Sequence, residues 1–72
     1  MNTYLFEDGR CCSYKTIYTD RTTKVFVIFA AGGGPQRGHV WYARNAEMWF
    51  SCPYNGSTCS FFYCEEAIAY VL

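Results

Sequence analysis

The chain has 72 residues, six Lys+Arg against six Asp+Glu, 51% hydrophobic and 21% aromatic content, and two prolines. That apolar content excludes an intrinsically disordered chain, and the length allows one small domain, residues 1–72, close to the lower limit at which a single core stabilises itself. Zero formal net charge weighs against a nonspecific nucleic-acid binder, whose affinity comes mostly from phosphate neutralisation.

Residues 3–7 form a short run of strand formers. Asp8-Gly9 then marks a tight primed hairpin turn, in which both positions take positive φ. Residues 10–19 read as the returning strand, with Tyr14, Thr16 and Tyr18 on one side and Lys15, Ile17 and Thr19 on the other. Asp20-Arg21-Thr22-Thr23 reads as a second turn. Residues 24–30 carry the strongest strand signal: Val25-Phe26-Val27-Ile28-Phe29 is β-branched or aromatic throughout, as a central strand buried on both faces would be. The segment 31–38, with Gly32-Gly33-Gly34-Pro35, breaks the ladder and reads as a mobile connection. Residues 39–44 resume as a strand, with His39, Trp41 and Ala43 opposite Val40, Tyr42 and Arg44. Asn45-Ala46 permits a tight turn, and residues 47–51 form a fifth strand with Trp49 opposite Met48 and Phe50. Residues 52–56 are a loop. Ser57 or Thr58 then offers a helix N-cap, and from Cys59 onward Phe61, Cys64, Ile68 and Val71 or Leu72 recur at helical spacing, with Glu65, Glu66 and Tyr70 facing outward.

The fold class expected is α+β, an antiparallel meander of four to five strands with one C-terminal helix packed on one face. A helix of about 14 residues is roughly 20 Å long and 10–12 Å wide, while strands lie about 4.8 Å apart. Such a helix shields one face of the sheet and little of the other. Two Trp, seven Tyr and six Phe are too many for that shelter unless the sheet curls on itself or the chain dimerises, so some rings stand at the surface, where density of this kind favours an interaction site. Trp, Tyr and Arg dominate interface hot spots. The partner-binding candidates are therefore Tyr14, Tyr18, Arg37, Tyr42, Arg44, Trp49 and Tyr54.

Charge is unevenly spread. Positions 10–44 hold all six cations and only one acid, Asp20, while Glu7, Asp8, Glu47, Glu65 and Glu66 flank them. A dipole of this sort can steer encounter with a charged partner. With Tyr14, Lys15, Tyr18, Arg21, Lys24, Tyr42 and Arg44 interleaved, it also keeps open a second reading, a single-stranded nucleic-acid module that stacks bases on the sheet. The five cysteines are an odd number without paired C-x2-C knuckles, so they read as small buried hydrophobes. A third reading draws Cys52, Cys59, Cys64 and His39 together around zinc. Gly33-x4-Gly38 precedes His39-Val40 and a strand, not Lys-Ser and a helix, so it is no phosphate loop. His39 is the only histidine, C-x-x-C is absent, and Glu65 and Glu66 diverge by about 100° on a helix, so no enzyme, cofactor or metal is expected. The longest apolar run, residues 25–31, is far below the roughly 18 needed to span a membrane. No secretory leader opens the chain, and the expected compartment is the cytoplasm.

In size and layout, from the Met1-Asn2-Thr3-Tyr4-Leu5 opening strand through the Asp8-Gly9 hairpin to the closing helix, the chain resembles the small phage and mobile-element inhibitors called anti-CRISPR proteins. The resemblance implies a compact domain that acts by stoichiometric docking on a host protein or nucleoprotein complex, in the cytoplasm of the host cell. Many such inhibitors are strongly acidic DNA mimics; this neutral chain would dock on a protein surface instead.

Overall fold

A computed structural model describes residues 1–19 and 23–72. Asp20, Arg21 and Thr22, most of the second expected turn, lie outside the described residues. The fold is α+β. Six strands, β1 (Asn2–Leu5), β2 (Cys11–Tyr18), β3 (Lys24–Phe29), β4 (Gln36–Ala43), β5 (Met48–Pro53) and β6 (Cys59–Phe61), run antiparallel in chain order, and helix α1 (Cys64–Val71) closes the chain. The meander and its C-terminal helix agree with the sequence pattern, but the sheet has six strands where four to five were expected.

The additional strand comes from the start of the expected helix. Cys59, Ser60 and Phe61 pair with Ser51, Phe50 and Trp49 of β5. The Phe61-Phe62-Tyr63 run favours extended backbone, and Phe61 rests against Tyr70 at a centroid distance of 5.4 Å. Neither Ser57 nor Thr58 caps the helix. The N-cap is Tyr63, extended at φ −120° and ψ 140°, without a side-chain cap. The apolar stripe therefore starts at Cys64 and continues through Ala67, Ile68 and Val71, and the helix has 8 residues in place of about 14.

The turns also depart from expectation. Between β1 and β2 the Gly9 amide donates to the Phe6 carbonyl, and Gly9 at φ 91° is the only residue of that turn with positive φ. This is a tight turn closed by a left-handed glycine, not a primed pair. It buries Phe6, while Asp8 accepts bonds from the Arg10 amide at 3.0 Å and its Nε at 2.7 Å. The glycine segment is tied down at three points: Gly34 N–H to the Ala30 carbonyl, Ala30 N–H to the Pro35 carbonyl, and Gly33 N–H to Ser13 Oγ at 3.0 Å. Strand β4 begins at Gln36, so Gly38 belongs to the ladder, opposite Ile28 and Pro53. The reason is close approach: a Cβ on Gly38 would press into the Cys52 carbonyl and lie 2.8 Å from Val71 Cγ1. Only glycine lets α1 rest that near the sheet.

Register assigns the faces. Tyr4, Cys12, Tyr14, Phe26, Ile28, Val40, Tyr42, Ser51, Trp49 and Phe61 share the helix side. Phe6, Cys12, Ile28, Val40, Ala67, Ile68 and Val71 form the buried core between helix and sheet. Three polar ties hold the helix in place: Ser51 Oγ donates to the Ala67 carbonyl at 2.6 Å, Tyr4 OH to Glu65 Oε2 at 3.2 Å, and Arg37 Nη2 to the Leu72 carbonyl at 2.7 Å. On the other face Val25 and Val27 are buried beside Phe29, Trp41 and Phe50, with Trp41 stacked on Phe50 at 5.9 Å and 16°.

Candidate functional site

An eight-residue helix is about 12 Å long at 1.5 Å per residue, while an eight-residue strand such as β4 spans about 27 Å. Helix α1 lies over the end of the sheet that holds Cys12, Ile28, Gly38 and Ser51, as its contacts with β4, β5 and β6 and the Gly38–Val71 approach require. The other end of the same face has no helix above it. There the alternation of β2, β3, β4 and β5 delivers a row of rings. Tyr14 meets Phe26 edge-on at 5.8 Å and 81°, Phe26 meets Trp49 at 6.3 Å and 31°, and Trp49 meets Tyr42 at 5.3 Å and 62°. Tyr18 stands at the tip of β2, 65% exposed, and Tyr42 is 42% exposed.

This end forms an open cleft of about 700 Å³ bordered by Thr23, Lys24, Phe26, Tyr42, Arg44 and Trp49, and it wraps the strand ends far enough that Trp41 and Ala43 of the other face also line it. Its two cations come from strand ends. Lys24 opens β3, its Nζ 6.0 Å from the Phe26 centroid, and Arg44 follows the last residue of β4. No acid borders the cleft among the described residues. Their one ion pair, Asp8–Arg10, lies in the β1–β2 turn. Glu47 stands in the turn after Arg44 but does not line the cleft. The acids Glu7, Glu65 and Glu66 gather instead around a second hollow with Phe6, Arg10 and Tyr63, between the β1–β2 turn and the start of α1.

Of the seven side chains marked by sequence, the fold brings four to this end, Tyr18, Tyr42, Arg44 and Trp49, while Tyr14 pairs with Ile28 nearer the helix and reaches the row only through Phe26. Arg37 and Tyr54 sit at the opposite end of β4 and β5. Arg37 holds the Leu72 carbonyl, and the Tyr54 amide donates to the Arg37 carbonyl, although its ring is exposed. Phe26 and Lys24 complete the cleft but were absent from those seven. The alternation of Lys24, Phe26 and Ile28 along one face was the available signal, hidden by a strand that reads as apolar on both sides.

The thiols do not assemble. All five are free, and no three His, Cys, Asp or Glu side chains come together to hold a metal among the described residues. His39 and Cys52 are register partners on the open face, whereas Cys59 pairs with Ser51 on the helix side, so the zinc set drawn from sequence is split across the sheet. Cys52 donates to the Pro53 and Gly56 carbonyls, and His39 Nε2 faces the Gln36 amide at 3.4 Å. Burial pushes the Cys12 thiol up, helped by neighbouring Cys11, and does the same to Cys64, helped by Glu65. Both thiols are therefore protonated and inert at neutral pH. Among the described residues, no helix is long and apolar enough to cross a membrane. No protein-family model, no curated protein and no solved structure matches the chain.

Proposed function

We propose that the protein is a non-enzymatic binding module that docks on a larger protein through the aromatic end of its helix-side face. One observation carries this reading: the helix stops short, and beyond it Tyr18 and Tyr42 stand exposed beside half-buried Trp49, whose ring contacts continue through Phe26 and Tyr14 to the core. A contiguous apolar patch rimmed by polar groups is the surface on which proteins associate, and Tyr, Trp and Arg supply most of the energy of such contacts. The partner is a host protein or nucleoprotein complex, and docking inhibits it in the manner of an anti-CRISPR protein; the compact single-domain layout supports that finer reading. A photo-crosslinking phenylalanine derivative at position 42 should capture a protease-sensitive, nuclease-resistant species, whereas the same group at position 3, on the other face, should not. Tyr18→Ser should weaken capture through position 42, and Tyr18→Ser with Tyr42→Ser should abolish inhibition of CRISPR interference in a plasmid-transformation assay. Equal capture from both positions would remove the basis for this docking face.

A further inference from the structure

We infer that the segment received by the Lys24–Arg44 cleft is an extended acidic stretch of a protein, with carboxylates at the two cations and apolar side chains on Tyr42 and Trp49; this rests on the docking reading above. Charge complementarity is the first support. Lys24 and Arg44 both border the cleft, no acid borders it among the described residues, and the acids Glu7, Glu65 and Glu66 lie around a separate hollow. The Arg44 guanidinium presents a planar fork that matches a carboxylate with two parallel bonds.

Ring geometry is the second support, and it separates protein from nucleic acid. A base-stacking site offers an aromatic face free on one side. Here Tyr42 meets Trp49 at 62° and Tyr14 meets Phe26 at 81°, so ring edges fill the space over neighbouring faces. Of the near-parallel pair, Trp41 and Phe50 at 16°, Phe50 stands on the other side of the sheet, and the face that Trp41 turns toward it is already covered, although Trp41 reaches the wall of the cleft. The two cations that border the cleft among the described residues also release few counterions, a slope of only about −1.4 in log K against log salt for a single strand. An interlocked, uneven apolar floor with two charges at its border suits alternating apolar and carboxylate side chains, which an extended peptide presents to one side and the other with a period of two.

The test titrates ¹⁵N-labelled protein, at low salt, with a peptide of about a dozen residues alternating Glu and Leu, its Gln-Leu counterpart, and an oligothymidylate of similar length. Amide and indole resonances of Lys24, Tyr42, Arg44 and Trp49 are followed. The Glu peptide should shift all four and the Gln peptide should bind about tenfold more weakly, as loss of two partly exposed ion pairs implies. Lys24→Gln with Arg44→Gln, both at solvent-facing positions of strand ends, should bring the Glu peptide down to the Gln level without altering the spectrum elsewhere. Equal binding of the two peptides would overturn the acidic assignment while leaving docking intact. Tighter binding of the oligothymidylate at the same resonances would overturn it in favour of nucleic acid. No shift from any probe would also overturn it, and the crosslinking experiment would then judge docking separately.

Discussion

Gly38→Ala is the sharpest probe of how the helix is seated and therefore of where the uncovered end begins. The position is buried in the middle of the ladder. Its φ lies outside the left-handed region that favours glycine, so the backbone itself would accept alanine. The obstacle is space. The added methyl would press into the Cys52 carbonyl, sit 2.8 Å from Val71 Cγ1 and 3.0 Å from Pro53 Cα, against an ordinary carbon–carbon separation of about 3.5–4.0 Å. Val71 can rotate or move with the helix end, but the Cys52 carbonyl is sheet backbone and cannot. Overpacking of this kind costs about 1–3 kcal/mol. The rigid backbone contact puts this site at the upper end of that range; the lower chain entropy of alanine in a strand returns about 0.5–1 kcal/mol, leaving a net loss of about 2 kcal/mol. For a domain of this size that lowers the melting temperature by roughly 8–16 °C. Urea and thermal unfolding by circular dichroism would measure it. Adding Val71→Ala should recover none of the loss, because the carbonyl contact remains and a core methyl pair is gone. A Gly38→Ala protein within about 0.5 kcal/mol of the parent, the usual range for an unconstrained surface change, would refute the close-approach account of β4 and α1.

Three further outcomes follow from local chemistry. Glu47 holds φ 53° in the β4–β5 turn, a conformation costing a non-glycine residue about 1–2 kcal/mol; Glu47→Gly should stabilise the protein by about 0.5–1 kcal/mol in urea titration once the greater freedom of unfolded glycine is subtracted. Ser51→Ala removes the buried hydroxyl bonded to the Ala67 carbonyl at 2.6 Å and should cost about 1–3 kcal/mol by the same measurement. The Cys12 thiol titrates above its ordinary value because it is buried, so the unfolded chain loses that proton first. Its contribution is fully present below the ordinary thiol value near 8.5 and is lost as pH rises toward the folded value, by at most about 1.4 kcal/mol per pH unit. Stability measured between about pH 8 and 10 should fall, with a shallower slope in Cys12→Ala, while a maleimide labels exposed Cys11 and Cys59 well before Cys12.

The strands were legible because their signal is local. Alternation in 10–19 and 39–44 assigns the correct face to Tyr14, Tyr18, Trp41 and Tyr42, and the helix stripe from Cys64 to Val71 shows in the spacing. Two features were not legible, for different reasons. The Phe61-Phe62-Tyr63 run suits a helical stripe and a strand equally when read alone; the pairing of Cys59–Phe61 with β5 is a long-range choice that propensity does not encode. Gly38 belongs to a glycine-rich run that looks like a loop, and only the nearness of Val71 and Cys52 shows why glycine is needed inside a strand. Within the site, Arg37 and Tyr54 were chosen by residue type. Their removal from the cluster follows from strand direction: they lie at the end of β4 and β5 where α1 terminates, a sheet-length away from Tyr42 and Arg44.

Both faces of the sheet carry rings, and the difference between them is what favours the helix-side end as the proposed docking surface. On the face away from α1, Val25 and Val27 are already buried by what surrounds them: Trp41 pairs across from Val25, Trp41 stacks on Phe50, and the Lys15 stem reaches over Phe29 with Nζ 5.9 Å from its centroid, shielding apolar surface while its charge stays in water. The Gly33 amide on Ser13 closes one corner. Those side chains cover the middle of that face, although Leu5 and Ile17 remain exposed on it. The aromatic end of the helix side has no such arrangement. Its rings touch one another edge to face and so gain packing, yet the two tyrosines at its border remain exposed, and its cations stand at the rim of a hollow instead of lying across it. Apolar surface that a fold has left open is where docking gains most from displaced water. A second molecule seated on the helix-side end would complete there what Lys15, Trp41 and the glycine loop complete within the chain on the other.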